Sequence, residues 1–136
     1  MRETDLRYAN FQTAILHGTD LRYADLRRAN LSSADLNSSA LIGAKLTEAQ
    51  LLGADLFNVD LRKANIARAN LSVANLQKAD LSHAILDGAN LKHTNLYKAN
   101  LNGASLKDAK NVDIAYLKKV ADCDDTILPD GSKYSN

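Results

Sequence analysis

Leucine recurs at every fifth residue from Leu6 to Leu106. That register has 21 positions; 19 are leucine and the others are Phe11 and Ile66. Two residues before each sits a small residue, nearly always alanine, with Thr4, Thr19, Ser39, Val59 and Thr94 as mild departures. A period of five fits neither common element. On an α-helix successive leucines would advance by about 140° and smear around the cylinder. On an unbroken strand they would alternate between faces. A chain that turns a corner every five residues removes the conflict. In A-x-L both apolar residues then point inward from a short extended segment, the residue between them faces out, and the next two make the corner.

Five of the six glycines, Gly18, Gly43, Gly53, Gly88 and Gly103, fall on the second corner residue. A type II turn needs φ > 0 there. Corners without glycine, such as Arg27-Arg28, are expected to use another turn type. Proline is absent before Pro129, as expected if backbone N–H groups bond along the whole stack. The interior should be a narrow, dry column of Leu and Ala, too full to hold a ligand.

The remaining composition sets bounds. The 136 residues suffice for one domain and carry a net charge of +1, so no global field draws the chain to nucleic acid or a membrane. Cys123 is the single cysteine, so no internal disulfide is possible. The N-terminal residues are charged and form no signal-peptide core, and no run is long enough to span a membrane. A cytoplasmic location is the expectation.

The A-[D/N]-L-x-x units from residue 4 to about 110 resemble the pentapeptide-repeat family. The resemblance implies an all-β fold: a right-handed quadrilateral β-helix with four units, twenty residues, per coil. About five coils would stand ~25 Å tall. The expected organisation is a β-helix over 1–110 and a C-terminal capping helix with a polar tail over 111–136.

With twenty residues per coil, the side holding Phe11 carries Asn10, Asn30, Gln50, Asn70 and Asn90 at the outward slot, a set expected to form an amide ladder. Ala40 separates Asp20 from Asp60, and Lys45 stacks beside Asp25. Asp35 and Asp55 stack on the side of Leu16 without an evident counter-charge. Beyond Ala109 the register fades. Asp113 is placed to N-cap a short helix through Tyr116 to Ala121, covering the C-terminal end of the core. No cap is evident at the N-terminal end.

Two groups of surface residues stand out. Arg7, Arg22, Arg27, Arg28, Arg62, Lys63 and Arg68 gather on the adjacent sides of Leu6 and Leu21, a candidate anion- or protein-binding edge. The interleaved Asp5, Asp20, Asp25 and Asp60 could neutralise it. Ile42, Leu52, Phe57, Val73 and Tyr97 place apolar side chains outward, and Leu52, Phe57, Val73 and Tyr97 could form a patch for a partner or for self-association. The uncapped N-terminal end is a second candidate for self-association. His17, His83 and His93 lie on separate corners and cannot share a metal. Cys123 has no base at a plausible spacing, and Asp122, Asp124, Asp125 and Asp130 lack the calcium-loop pattern. No catalytic residue, cofactor or metal is therefore expected.

These features point to a non-enzymatic interaction or scaffold protein whose partner is a protein. Some proteins of the resembled family imitate B-form DNA and act on type II topoisomerases. They are acidic, which a net charge of +1 disfavours. Direct nucleic-acid binding through the arginine edge is the other alternative, and it too is disfavoured.

Overall fold

The structure, a computed structural model, describes residues 1–135. Parallel bridges join each outward slot to the slot twenty residues later. Asp5 pairs with Asp25, Asn10 with Asn30, Ile15 with Asp35 and Asp20 with Ala40, and the pattern continues to Asn90–Lys110. A coil is thus twenty residues with four sides. Each side contributes one bridged residue between two corners, which is why the bridges stand isolated rather than forming long strands.

The backbone bonding repeats with the sequence. The leucine N–H donates to the slot carbonyl of the next coil (Leu56 to Asn75, 2.8 Å), and the slot N–H donates to the alanine-position carbonyl of the coil before (Asp55 to Ala34, 2.9 Å). The second corner N–H donates to the next coil as well (Asn58 to Gln77, 2.9 Å), and a turn bond closes each corner (Ala9 to Leu6, 3.2 Å). Inside, the leucine and alanine positions from Leu21 to Leu106 are buried. Burial of one such leucine contributes about 1.5–3 kcal/mol. Where Ser39 and Thr94 replace alanine, their hydroxyls donate to Leu16 and Leu71 carbonyls one coil below (2.7 and 2.8 Å).

The corners correct the expectation drawn from glycine. Every second corner residue from Glu3 to Asp108, glycine or not, has φ between +53° and +68°. Arg28 at +59° turns the same way as Gly43 at +64°. The ladders above and below fix the corner, so side chains accept a conformation they would not choose. At two corners glycine also leaves room for a neighbouring side chain. A Cβ on Gly43 would lie 2.6 Å from the ring of Tyr23, and one on Gly103 would lie 2.6 Å from His83 Nδ1. The larger side chain one coil below occupies that space.

The cap is a helix, α1, Ile114–Val120, with the Asp113 carboxylate accepting from the Tyr116 N–H and Leu117 buried over the core. The described part of the C-terminal segment, 111–135, is more than a helix and a tail. After α1 the register resumes: Asp122 bridges Asn100 and Ile127 bridges Ser105, an offset of twenty-two instead of twenty. Cys123 takes a leucine position and Thr126 an alanine position, both buried. Ile127 then pairs antiparallel with Lys133, folding the end back so that Tyr134 lies under Lys118 (4.7 Å to the ring centroid).

Candidate interaction surfaces

The outward slot has a structural duty first. Its side-chain oxygen accepts the N–H of the first corner residue, two positions on: Asp5 to Arg7, Asn30 to Ser32, Asp55 to Phe57, Asn95 to Tyr97. An aspartate then has a second oxygen to spare. Where the corner residue is arginine, as in the four Asp-Leu-Arg triplets, that oxygen is taken. Arg7 Nε and Nη2 reach Asp5 at 2.9 and 2.7 Å, and Arg22 reaches Asp20 at 2.9 and 2.7 Å. Arg27 reaches Asp25 at 2.8 and 2.6 Å, and Arg62 reaches Asp60 at 2.9 and 2.7 Å. Each is a two-bond guanidinium–carboxylate clip.

The clips also explain how carboxylates stack. Arg7 Nε lies 4.0 Å from Asp25 as well, and Arg62 Nε lies 4.0 Å from Asp80. One arginine thus serves two coils. The Arg7 hydrogen bonds hold the Asp5 carboxyl at about 2, below its usual value. The Arg22 and Arg27 bonds lower Asp20 and Asp25 in the same way. At Asp60 burial opposes ionisation, yet the hydrogen bonds from Arg62 still leave the carboxyl lowered.

The arginine edge lies on two corners. Arg22, Arg62 and Lys63 share one, and Arg7, Arg27, Arg28 and Arg68 share the other. The second group lines a shallow groove of about 330 Å³ with Tyr8, Thr47 and Glu48. Glu48 sits between Arg28 (2.7 Å) and Arg68 (3.0 Å), and Arg28 also donates to the Tyr8 hydroxyl (3.1 Å). All six arginines of the edge are therefore engaged by carboxylates of the same chain. Lys63 forms no ion pair among the described residues.

The apolar candidates divide. Leu52 (46% exposed) and Val73 (59%) sit on adjacent coils at the corner entering the side of Leu16. Phe57 and Tyr97 (46% exposed) sit at the corner leaving it, two coils apart, with Lys78 and Lys98 each 5.4 Å from the respective ring. These four frame one face. Ile42 does not join them; it is half-buried in the column of Arg22 and Arg62.

The amide ladder is displaced from its expected place. On the side of Phe11, among the described residues, the coil-to-coil amide bonds are Asn70 to Gln50, at 3.4 Å, and Asn111 to Asn90, at 2.7 Å. The more continuous ladder is on the side of Leu16: Asn75 Nδ2 donates to Asp55 (3.0 Å) and Asn95 Nδ2 donates to Asn75 (3.3 Å). That ladder relieves Asp55, for which no counter-charge was evident. The signal for the clips was present in sequence as the repeated Asp-Leu-Arg triplet.

The remaining candidates are dispersed. His83 stacks under Gly103, and His17 and His93 are exposed on other corners. Burial pushes the Cys123 thiol up, as do the neighbouring Asp122 and Asp124 carboxylates. Asp125 pairs with Lys133 (2.9 Å) and Asp130 accepts from Ser132 (2.9 Å), so the acidic residues of the tail turn to separate partners.

A filled four-sided coil of five-residue units is the architecture of a repeat solenoid. The family described as "Pentapeptide repeats (8 copies)" matches residues 1–32, 34–72 and 74–110. The chain belongs to the pentapeptide-repeat family. It is similar to a pentapeptide repeat protein, Rfr23, from the cyanobacterium Cyanothece 51142, with 39% identity and a TM-score of 0.60. That match covers 60% of this chain and 56% of Rfr23, so the chain spans little more than half of that relative. It is also similar to alr5209, a pentapeptide repeat protein from Nostoc Pcc 7120, with 35% identity and a TM-score of 0.65 over 76% of this chain and 83% of that one. QnrB1, a plasmid-mediated fluoroquinolone resistance protein, shares the fold at 14% identity, with a TM-score of 0.57 over 77% of this chain and 54% of its own. No curated protein sequence matches the chain.

Proposed function

We propose that this right-handed quadrilateral β-helix is a non-enzymatic protein-interaction module that works through its outer faces, and that the side of Leu16 is the working face. The observation that carries the proposal is the filled interior: leucine and alanine positions are buried without a break from Leu21 to Leu106. A solid rod acts by what it displays. The side of Leu16 displays Leu52, Phe57, Val73 and Tyr97 around a column with no arginine. Aromatic and aliphatic anchors of this kind dominate binding energy at protein interfaces.

The DNA-mimic alternative needs a surface of free carboxylates. On the sides of Leu6 and Leu21 the aspartates Asp5, Asp20, Asp25 and Asp60 each hold an arginine. Nucleic-acid binding needs the reverse, and the same clips oppose it. The test is affinity capture with the immobilised protein beside a Leu52→Ser, Val73→Ser, Tyr97→Ser variant. The proposal expects a specific partner with the first and its loss with the second. A partner retained equally by both would contradict it.

A further inference from the structure

The coil beyond Lys110 leaves one side without a rung. The side of Phe11 has a sixth rung at Lys110 and that of Leu21 one at Asp122, and the side of Leu6 reaches a seventh at Ile127, whereas the side of Leu16 ends at its fifth, Asn95. On the side of Leu16 the chain leaves as α1 instead. The Asn95 rung is therefore an open parallel edge.

One coil lower, the same groups are all in use. Val73 N–H donates to the Lys92 carbonyl (2.8 Å), the Ala74 carbonyl accepts from Asn95 N–H (3.0 Å), and Leu76 N–H donates to the Asn95 carbonyl (2.8 Å). Their counterparts, the His93 N–H, the Thr94 carbonyl and the Leu96 N–H, have no hydrogen-bond partner among the described residues. They face a cavity of about 630 Å³ between residues 91–96 and the segment 111–117, which includes Tyr116 and Leu117. That volume is within the ordinary range of binding sites. Unpaired backbone groups at an edge are a template for an added strand.

We propose that this vacant rung binds an extended peptide segment of four residues, parallel to the Asn95 rung, with a small third residue and asparagine fourth. The bonding below sets the pattern. The first residue offers its carbonyl to the His93 N–H. The fourth offers its N–H to the Thr94 carbonyl and its carbonyl to the Leu96 N–H. The third points inward beside Leu117, which is buried and already closes the core, so only a small side chain fits. The fourth faces out above Asn95. There Asn95 Oδ1 stands where Asn75 Oδ1 stands one coil lower, and Asn75 Oδ1 accepts the amide of Asn95 (3.3 Å). An asparagine continues that ladder; leucine has no donor for it, and aspartate would bring a carboxylate against the amide oxygen. Positive φ at His93 and Val73 further favours glycine as the second residue.

The inference rests on the reading of the protein as an interaction module and names a partner chemistry for one end of the working face. Its test is separate from the capture experiment, which reads Leu52, Val73 and Tyr97. The probe is the peptide acetyl-Ser-Gly-Ala-Asn-amide, titrated into the full chain and followed by amide NMR and hydrogen exchange. The free protein should exchange the His93 and Leu96 amides far faster than those of Val73 and Leu76. The peptide should shift and protect His93 and Leu96 with a dissociation constant on the order of 1 mM. The version ending in leucine should bind at least about fivefold more weakly, and Asn95→Ala should erase that preference. Three results would overturn the inference: slow exchange of Leu96 in the free protein, unchanged His93 and Leu96 amides at about 10 mM peptide, or equal binding of the leucine version.

Discussion

The sides of Leu6 and Leu21 and the side of Leu16 solve the same backbone problem with different atoms. On every side the slot oxygen accepts a corner N–H. On the first two the slot is often aspartate, and its second oxygen takes an arginine, as Asp60 takes Arg62. On the side of Leu16 the later slots are asparagine, and the second atom is a donor that takes an oxygen from the coil below, as Asn75 takes Asp55. The first solution uses up charge within the chain. The second leaves the corners free to carry apolar and aromatic groups. A basic edge in sequence is thus a neutralised face in the structure, whereas the quieter face is the one left open.

The comparison assumes one shared core, and its largest test is there. Leu61→Ala, under a clip, and Leu76→Ala, under the ladder, should each cost about 2–5 kcal/mol in denaturant unfolding. A large difference between the two would mean that the outer chemistry controls the packing beneath it.

Asn75→Asp exchanges the ladder for a carboxylate next to Asp55, where no arginine is available. It should destabilise by about 1 kcal/mol near neutral pH. Repulsion raises the folded-state pKa of the pair, so the variant should regain stability as pH falls toward 4. A variant as stable as the parent at pH 7 would break the contrast between the two faces.

Val73 is a β-branched residue held at φ +60°. Val73→Asn should therefore stabilise by about 1 kcal/mol, since asparagine tolerates that conformation. Thermal unfolding reads it; a loss of stability would show that the Val73 side chain makes a packing contribution at this corner.

The clips predict the smaller, opposite acid response. Asp5, held at about 2, and the lowered Asp20, Asp25, Asp60 and Glu48 contribute stability above their unfolded value near 4. That contribution should fade as pH drops from about 4 toward 2. Arg62→Gln should flatten this fall and have only a small effect on stability at pH 7, because the pair is partly exposed and screened. Melting temperatures across pH 2–7 would show both effects, and an identical acid profile for the two proteins would remove the clip from the account.

The five-residue unit was legible because its cause is local and repeated: an inward Leu, an inward Ala, and a corner; four units per coil came only from the family resemblance. The cap was legible from Asp113 and the apolar stripe behind it. The corners were not. A positive φ at Arg28 or Val73 is imposed by hydrogen bonds to other coils, and residue preference points the other way. The resumed register after α1 was hidden because Cys123 and Thr126 replace the repeat's leucine and alanine. The apolar set was half legible: position modulo twenty unites Leu52, Val73, Phe57 and Tyr97, but it also assigns Ile42 to the column of Arg22 and Arg62. The ladder depended on side-chain reach from coil to coil, which the slot identity alone did not determine.

Site-specific photocrosslinking compares the two faces most directly. A photoreactive residue at Leu52 or Tyr97 reports on the side of Leu16, and one at Arg22 or Arg27 reports on the clipped sides. The proteins are irradiated in extracts of the source organism, and adducts are identified by mass spectrometry. The account predicts a discrete protein adduct from positions 52 and 97 and none from positions 22 and 27. Adducts confined to positions 22 and 27, to protein or to nucleic acid, would contradict it.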